Sequence, residues 1–143
     1  KLFPLGVEAL IEAVDLVRQM NAPQIPQDES KATYECLCQE RQAIVNWSEP
    51  ASKVYNLIRG TDPQPGATTF LRGGKLKVFD SELLVGTRTY IPGEIVECDK
   101  RGIIISGQDG CILVKRVQPD GMPKMGASDY AVSVGLKAGE RLG

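Results

Sequence analysis

The chain has 143 residues, 42% hydrophobic and 24% charged, with a net charge of −1 at pH 7, which excludes a disordered or low-complexity polypeptide. It contains no histidine. Every Ser-His-Asp or Cys-His arrangement is thereby excluded, and catalysis by this chain alone would have to rest on carboxylates, lysine or cysteine.

From Pro4 to Met20 the apolar residues Val7, Leu10, Ile11, Val14 and Val17 recur at helical spacing, with Glu8, Glu12, Asp15, Arg18 and Gln19 on the other face. This predicts an amphipathic helix. Pro4 suits a first-turn position, and Asn21-Ala22-Pro23 ends the helix, because proline disfavours helical geometry in the residue before it. The stretch APQIPQDESKATYE that follows has too few large apolar groups to build a core and reads as an extended connector. Ser48 then offers a hydroxyl to the free amides of a second helix, whose apolar face is Ala51, Val54, Tyr55 and Ile58 and which Gly60 ends. Trp47 is placed to pack back as a staple. Two helices and a connector cannot enclose a core. Residues 1 to about 60 are therefore expected to be the tail of a larger domain, their apolar faces lacking a partner in this chain.

The run LIRGTDPQPGATTFL, residues 57–71, reads as a seam between residues 1–64 and 65–143, since beyond Pro65 the period changes from helical to alternating. TTFLRGGKLKVFDSELL predicts two strands joined at Gly73-Gly74. EIVECDKRGIIIS predicts a second pair turning between Asp99 and Gly102, and Gly107–Gly110 leads into CILVKRV. About five short strands favour a small closed or nearly closed antiparallel barrel, because closure removes exposed edges. MGASDYAVSVGL predicts a short helix from near Ser128, leaving LKAGERLG as a tail. Met122 and Met125 read as gap-fillers beneath the barrel.

Of the four cysteines, Cys36 and Cys38 form a C-x-C too tight for a redox C-x-x-C, and Cys98 and Cys111 read as small core residues; all four are expected as reduced thiols. A metal site is not expected. Glu94, Glu97 and Asp99 read as a solvated acidic face, and Gly73-Gly74 as a turn rather than a phosphate loop. No run approaches the roughly 18 apolar residues of a membrane span, and KLFPLGVEAL lacks a signal-peptide layout. A soluble, cytoplasmic protein without membrane contact is the expectation. Lys1 in first position points to a processed or excised piece.

In order and spacing, LFPLGVEALIEAV, PQIPQDESKATYE, VNWSEPASKVYNLIRG, DPQPGATT, KLKVFDSEL, PGEIV and GLKAGERLG resemble the C-terminal part of the 10-formyltetrahydrofolate-dependent formyltransferases. The most specific pieces are W-S-x-P-A at Trp47–Ala51, I-R-G at Ile58–Gly60 and P-x-P-G-A at Pro63–Ala67. The resemblance implies a mostly β fold with flanking helices: a five-stranded OB-like antiparallel barrel preceded by the closing helices of a truncated Rossmann-like catalytic domain. It also implies that 10-formyltetrahydrofolate, the formyl donor, and the family's catalytic Asn, His and Asp belong to that missing N-terminal domain. No cofactor or catalytic residue is assigned to this chain.

The family's acceptors include methionyl-tRNA, water and sugar amines, and initiator methionyl-tRNA is the expected partner. A tRNA-positioning barrel requires positive charge facing phosphates. Residues 65–143 carry 11 Lys plus Arg against 9 Asp plus Glu, a net of +2, whereas residues 1–64 carry 6 against 9, a net of −3. Arg72, Lys75 and Lys77 gather around the first hairpin, and Lys75 and Lys77 share a strand face. Lys115 and Arg116, being adjacent, point to opposite faces. These five are the candidate nucleic-acid ligands; read blandly, they are solubilising surface charges. A 10-formyltetrahydrofolate hydrolase or dehydrogenase, or a sugar formyltransferase, would keep the same barrel without basic charge. A stand-alone single-strand-binding OB domain would need exposed aromatics, for which Phe70, Phe79, Tyr90 and Tyr130 are the supply. A purely structural or association role for the barrel stays open, and exposed apolar faces on the N-terminal helices would favour it.

Overall fold

The computed structural model describes residues 2–84 and 91–143. The chain divides into two compact units, Lys1–Cys36 and Leu37–Gly143.

The first unit holds helix α1, Leu2–Arg18, and a connector with a single 3-10 turn at Glu29–Lys31. Pro4 lies in the first turn of α1, where its missing N–H costs no intrahelical bond. No residue of α1 is buried. Leu10, Ile11 and Val17 are 65%, 58% and 62% exposed, so the apolar stripe read from the sequence is uncovered within its own unit.

The second unit contains helix α2 (Ala51–Thr61), strands β1 (Ala67–Leu71), β2 (Gly74–Leu84), β3 (Ile95–Asp99), β4 (Gly102–Ser106), β5 (Cys111–Pro119) and β6 (Met125–Gly126), and helix α3 (Ala127–Ser133). The strands among the described residues pair antiparallel in the order β1-β2-β5-β4-β3, with β6 added to β5. This is an open six-stranded antiparallel sheet, where about five strands in a closed or nearly closed barrel were expected. The C-terminal residues lie between its two edges. Ile95 N–H donates to Glu140 O at 2.7 Å and Leu142 N–H to Gly93 O at 2.9 Å on the β3 side, while Gly143 N–H donates to Phe70 O at 3.0 Å on β1. The segment read as a free tail thus satisfies backbone groups on both edges, which would otherwise stand unpaired. The other end of β1 is covered by residues 43–45, where Val45 N–H donates to Thr68 O at 2.8 Å and Thr68 N–H to Ala43 O at 2.7 Å.

The apolar face of α2 has its partner in this chain, contrary to the sequence expectation. Ala51, Val54 and Ile58 are buried in one cluster with Leu76, Val78, Ile95, Ile103, Ile105, Ile112 and Val114 of the sheet and Ala127 and Ala131 of α3. Full burial of one isoleucine such as Ile58 contributes about 1.5–3 kcal/mol. Trp47 is buried as well, and its indole N–H donates to Thr69 Oγ1 at 2.9 Å. Neither Ser48 nor Gly60 bounds α2. Pro50 precedes its first turn, and the Ala51 N–H is accepted by Asp109 Oδ1 at 2.7 Å, from the β4–β5 turn. That turn approaches closely because Gly107 and Gly110 carry no side chain; a Cβ on either would stand 3.2 Å from Ala51.

Candidate nucleic-acid interface

The β1–β2 hairpin turns at Arg72-Gly73, with φ of 50° and 78°, one residue earlier than the Gly73-Gly74 read from the sequence. Two positive φ angles in a two-residue loop match the twist of the flanking strands. Gly74 is already the first residue of β2. This geometry sends the Arg72 side chain to the C-terminal segment. Its Nε and Nη2 donate to the two carboxylate oxygens of Glu140 at 2.7 Å each, and its Nη1 donates to Val134 O at 3.0 Å. Hydrogen bonding to Glu140 raises the guanidinium pKa, and hydrogen bonding to Arg72 holds the Glu140 carboxyl below its usual range. Arg72 is therefore separated in role from the two lysines it was grouped with.

Lys75 and Lys77 do meet, and a third residue joins them. Glu40, in a 3-10 turn at Glu40–Gln42, places Oε2 at 3.1 Å from Lys75 Nζ and Oε1 at 2.7 Å from Lys77 Nζ. Gln42 Oε1 steadies the turn by accepting from Gln39 N–H at 2.9 Å. Lys77 Nζ also donates to Pro65 O at 2.9 Å. The hydrogen bonds from Lys77 and then Lys75 hold the Glu40 carboxyl below the usual carboxylate range.

Cross-strand register extends this face. Lys77 pairs with Gln118 and Phe79 with Arg116 on β5, and directly opposed residues share a sheet face. Arg116 is exposed. Lys124 Nζ lies 3.6 Å from the centre of the Phe79 ring and donates to Pro63 O at 3.3 Å, a cation–π placement. The face thus carries Lys75, Lys77, Arg116 and Lys124, with Glu40 bound among them and Asp120 at the rim of the hollow beside the two lysines. Lys115 is turned elsewhere, 3.4 Å from Glu82 Oε2.

The aromatic supply for base stacking is small. Val78 belongs to the core and is 1% exposed, while its neighbour Phe79, on the face of Lys77, is only 2% exposed because Lys124 covers the ring. At the other adjacent pair, Leu71 is 6% exposed and Phe70 38%, which makes Phe70 the outward aromatic. Burial pushes the Tyr130 hydroxyl up in pKa; Tyr90 lies outside the described residues. Cys98 and Cys111 are half-buried thiols whose pKa values burial raises, and Cys36 and Cys38 are exposed. Among the described residues no group of three His, Cys, Asp or Glu is placed to hold a metal.

Sequence reading missed Glu40, Gln118 and Lys124. Register from Lys77 could have found Gln118. Nothing in the sequence links Glu40 to a strand beginning at Gly74, and Lys124 stands in the irregular stretch just before β6 with no period to orient it.

Residues 38–135 match the family described as formyl transferase, C-terminal domain. The chain belongs to that family. The match begins beside Leu37, where the second compact unit starts. Over the whole chain, this formyl transferase C-terminal domain protein is 34% identical to a methionyl-tRNA formyltransferase of Moorella thermoacetica and 37% identical to one of Bacillus licheniformis. It spans 46% of the length of each of those relatives. Its fold is similar to that of HypX from Aquifex aeolicus, with TM-score 0.72 and 17% identity over 94% of this chain and 24% of that one. A HypX structure in complex with tetrahydrofolic acid superposes with TM-score 0.71 at 18% identity, over 94% of this chain and 24% of that one. Among the described residues, no helix is long and apolar enough to cross a membrane.

Proposed function

We propose that the chain is the C-terminal, non-catalytic part of a methionyl-tRNA formyltransferase, which moves a formyl group from 10-formyltetrahydrofolate to initiator methionyl-tRNA in the cytoplasm at translation initiation. The observation that carries this reading is the identity to methionyl-tRNA formyltransferases of two genera along all of this chain, including the segment before Leu37. In this reading the open sheet, its two edges joined by the C-terminal segment, is the OB-like barrel. Its β2–β5 face, with Lys75, Lys77, Arg116 and Lys124, positions the acceptor arm. Arg72 and Lys115 serve this face only indirectly, being bound to Glu140 and Glu82.

The uncovered apolar stripe of α1 supports assigning the first unit to the end of a Rossmann-like catalytic domain. The formyl donor and the transfer residues belong to that domain, consistent with a chain that has no histidine. A second reading draws on Glu40. Because its carboxylate neutralises part of the lysine pair, the barrel would also suit a formyltransferase or hydrolase whose acceptor is a sugar amine or water.

Fluorescence anisotropy with initiator tRNA across a salt series separates the two. Binding that weakens with salt at a slope of about −0.9 per phosphate contact supports the tRNA reading. Absence of binding at low salt removes it in favour of the second.

A further inference from the structure

We propose that Lys75 and Lys77 form a binding site for one phosphate group of a polyanion, and that the Glu40 carboxylate occupies this site as an internal stand-in which the phosphate displaces. Naming the polyanion as tRNA rests on the function proposed above; the anion site itself does not.

Each Glu40 oxygen takes one ammonium, at 3.1 Å from Lys75 and 2.7 Å from Lys77. Two non-bridging phosphate oxygens present the same paired acceptors, sharing one negative charge in a phosphodiester, as in the carboxylate, and more in a terminal phosphate or pyrophosphate. The two sides of the contact are unequally held. The lysine side chains are 33% and 21% exposed, Glu40 58%. Lys77 keeps a second anchor in Pro65 O at 2.9 Å, so it stays in place when the carboxylate leaves. Glu40 sits on a three-residue turn and has only the lysines as side-chain partners among the described residues.

Two further side chains with N–H donors stand nearby, each already bonded within the chain: Gln118 Nε2 to Met122 O at 2.9 Å and Lys124 Nζ to Pro63 O at 3.3 Å. Gln118 lies beside Lys77 in register and Lys124 lines the same groove. Asp120 is the opposing acid at the rim. Since the lysines hold Glu40 ionised well below neutral pH, acid does not release the stand-in under physiological conditions. Competition by another anion is the route that remains.

The test is a titration of the 143-residue chain with inorganic pyrophosphate, followed by the amide shifts of Lys75 and Lys77 in the NMR spectrum, for the wild type and Glu40→Gln. Removing the stand-in should lower Kd by about threefold to tenfold, the range expected for releasing two part-exposed ion pairs. Lys75→Gln with Lys77→Gln in the Glu40→Gln background should abolish the gain. Equal affinity in wild type and Glu40→Gln, or a gain that survives loss of both lysines, overturns the site. Glu40→Ser, which also removes the charge, guards against a local effect of Gln; the two must agree.

Initiator tRNA titrated in parallel distinguishes the two readings. A pyrophosphate gain without tRNA binding supports the phosphate site and overturns tRNA as its ligand. Tight tRNA binding that Glu40→Gln leaves unchanged overturns the stand-in and leaves the tRNA reading standing.

Discussion

Arg72 and Glu140 illustrate what a single pair of residues decides. The bidentate contact ties the first hairpin turn to the segment that lies between the sheet edges. Glu140 Oε1 also accepts Lys137 N–H at 2.9 Å, so the carboxylate organises its own loop. Its folded pKa is depressed below the ordinary value of 4.5, chiefly by Arg72. A depressed carboxyl contributes stability that is fully present above the unfolded pKa and is lost as pH falls through the folded one. Thermal melts should therefore show the wild type above Glu140→Gln at neutral pH. That difference should shrink as pH drops below 4.5 and decline with added salt, because both side chains are part-exposed. A difference unchanged down to strong acid would mean that the carboxylate charge is not what holds the turn.

At the scale of elements, α2 joins the sheet through two long-range devices. One is its buried face; the other is Asp109, which accepts the first-turn Ala51 N–H across 58 residues of sequence. An acceptor at a helix N-terminus satisfies an otherwise orphan donor wherever in the chain it comes from. Asp109→Ala should cost about 1 kcal/mol, the usual loss for a capping acceptor, and Asp109→Asn clearly less, since an oxygen acceptor is retained. Ile58→Ala, at a site with 0% exposure, should cost about 2–5 kcal/mol. Urea denaturation of the three variants checks the order. An Asp109→Ala loss as large as that of Ile58→Ala would show the β4–β5 turn itself collapsing.

For the molecule as a whole, the division after Cys36 makes a direct prediction. The second unit has a continuous core drawn from α2, the sheet and α3, whereas α1 buries nothing within its own unit. A chain cut to residues 37–143 should unfold in a single cooperative transition at essentially the melting temperature of residues 1–143. A peptide of residues 2–36 should show little helix in water, because a 17-residue helix without tertiary burial is marginal. Circular dichroism measures both. A large drop in melting temperature on truncation would place α1 within the stabilising core.

Much of this was legible in local patterns. The 3.6 period marked α1 and the face of α2; alternation and turn residues marked β1 to β5 within a residue or two; Ala127–Ser133 emerged where the helical pattern resumed. Lys75 and Lys77 shared a face by period alone, and ordered motifs along the chain carried the family resemblance. These are properties of neighbours in sequence, set by backbone geometry and side-chain periodicity. What only the tertiary structure decided were contacts whose partners lie far apart in the chain: the sheet that covers α2, the tail laid between β1 and β3, Glu140 drawing off Arg72, Lys124 sealing Phe79, and Glu40 set between two lysines. No periodicity encodes such meetings, because each depends on how the elements stack, and together they determine which charges of this face remain open to a partner.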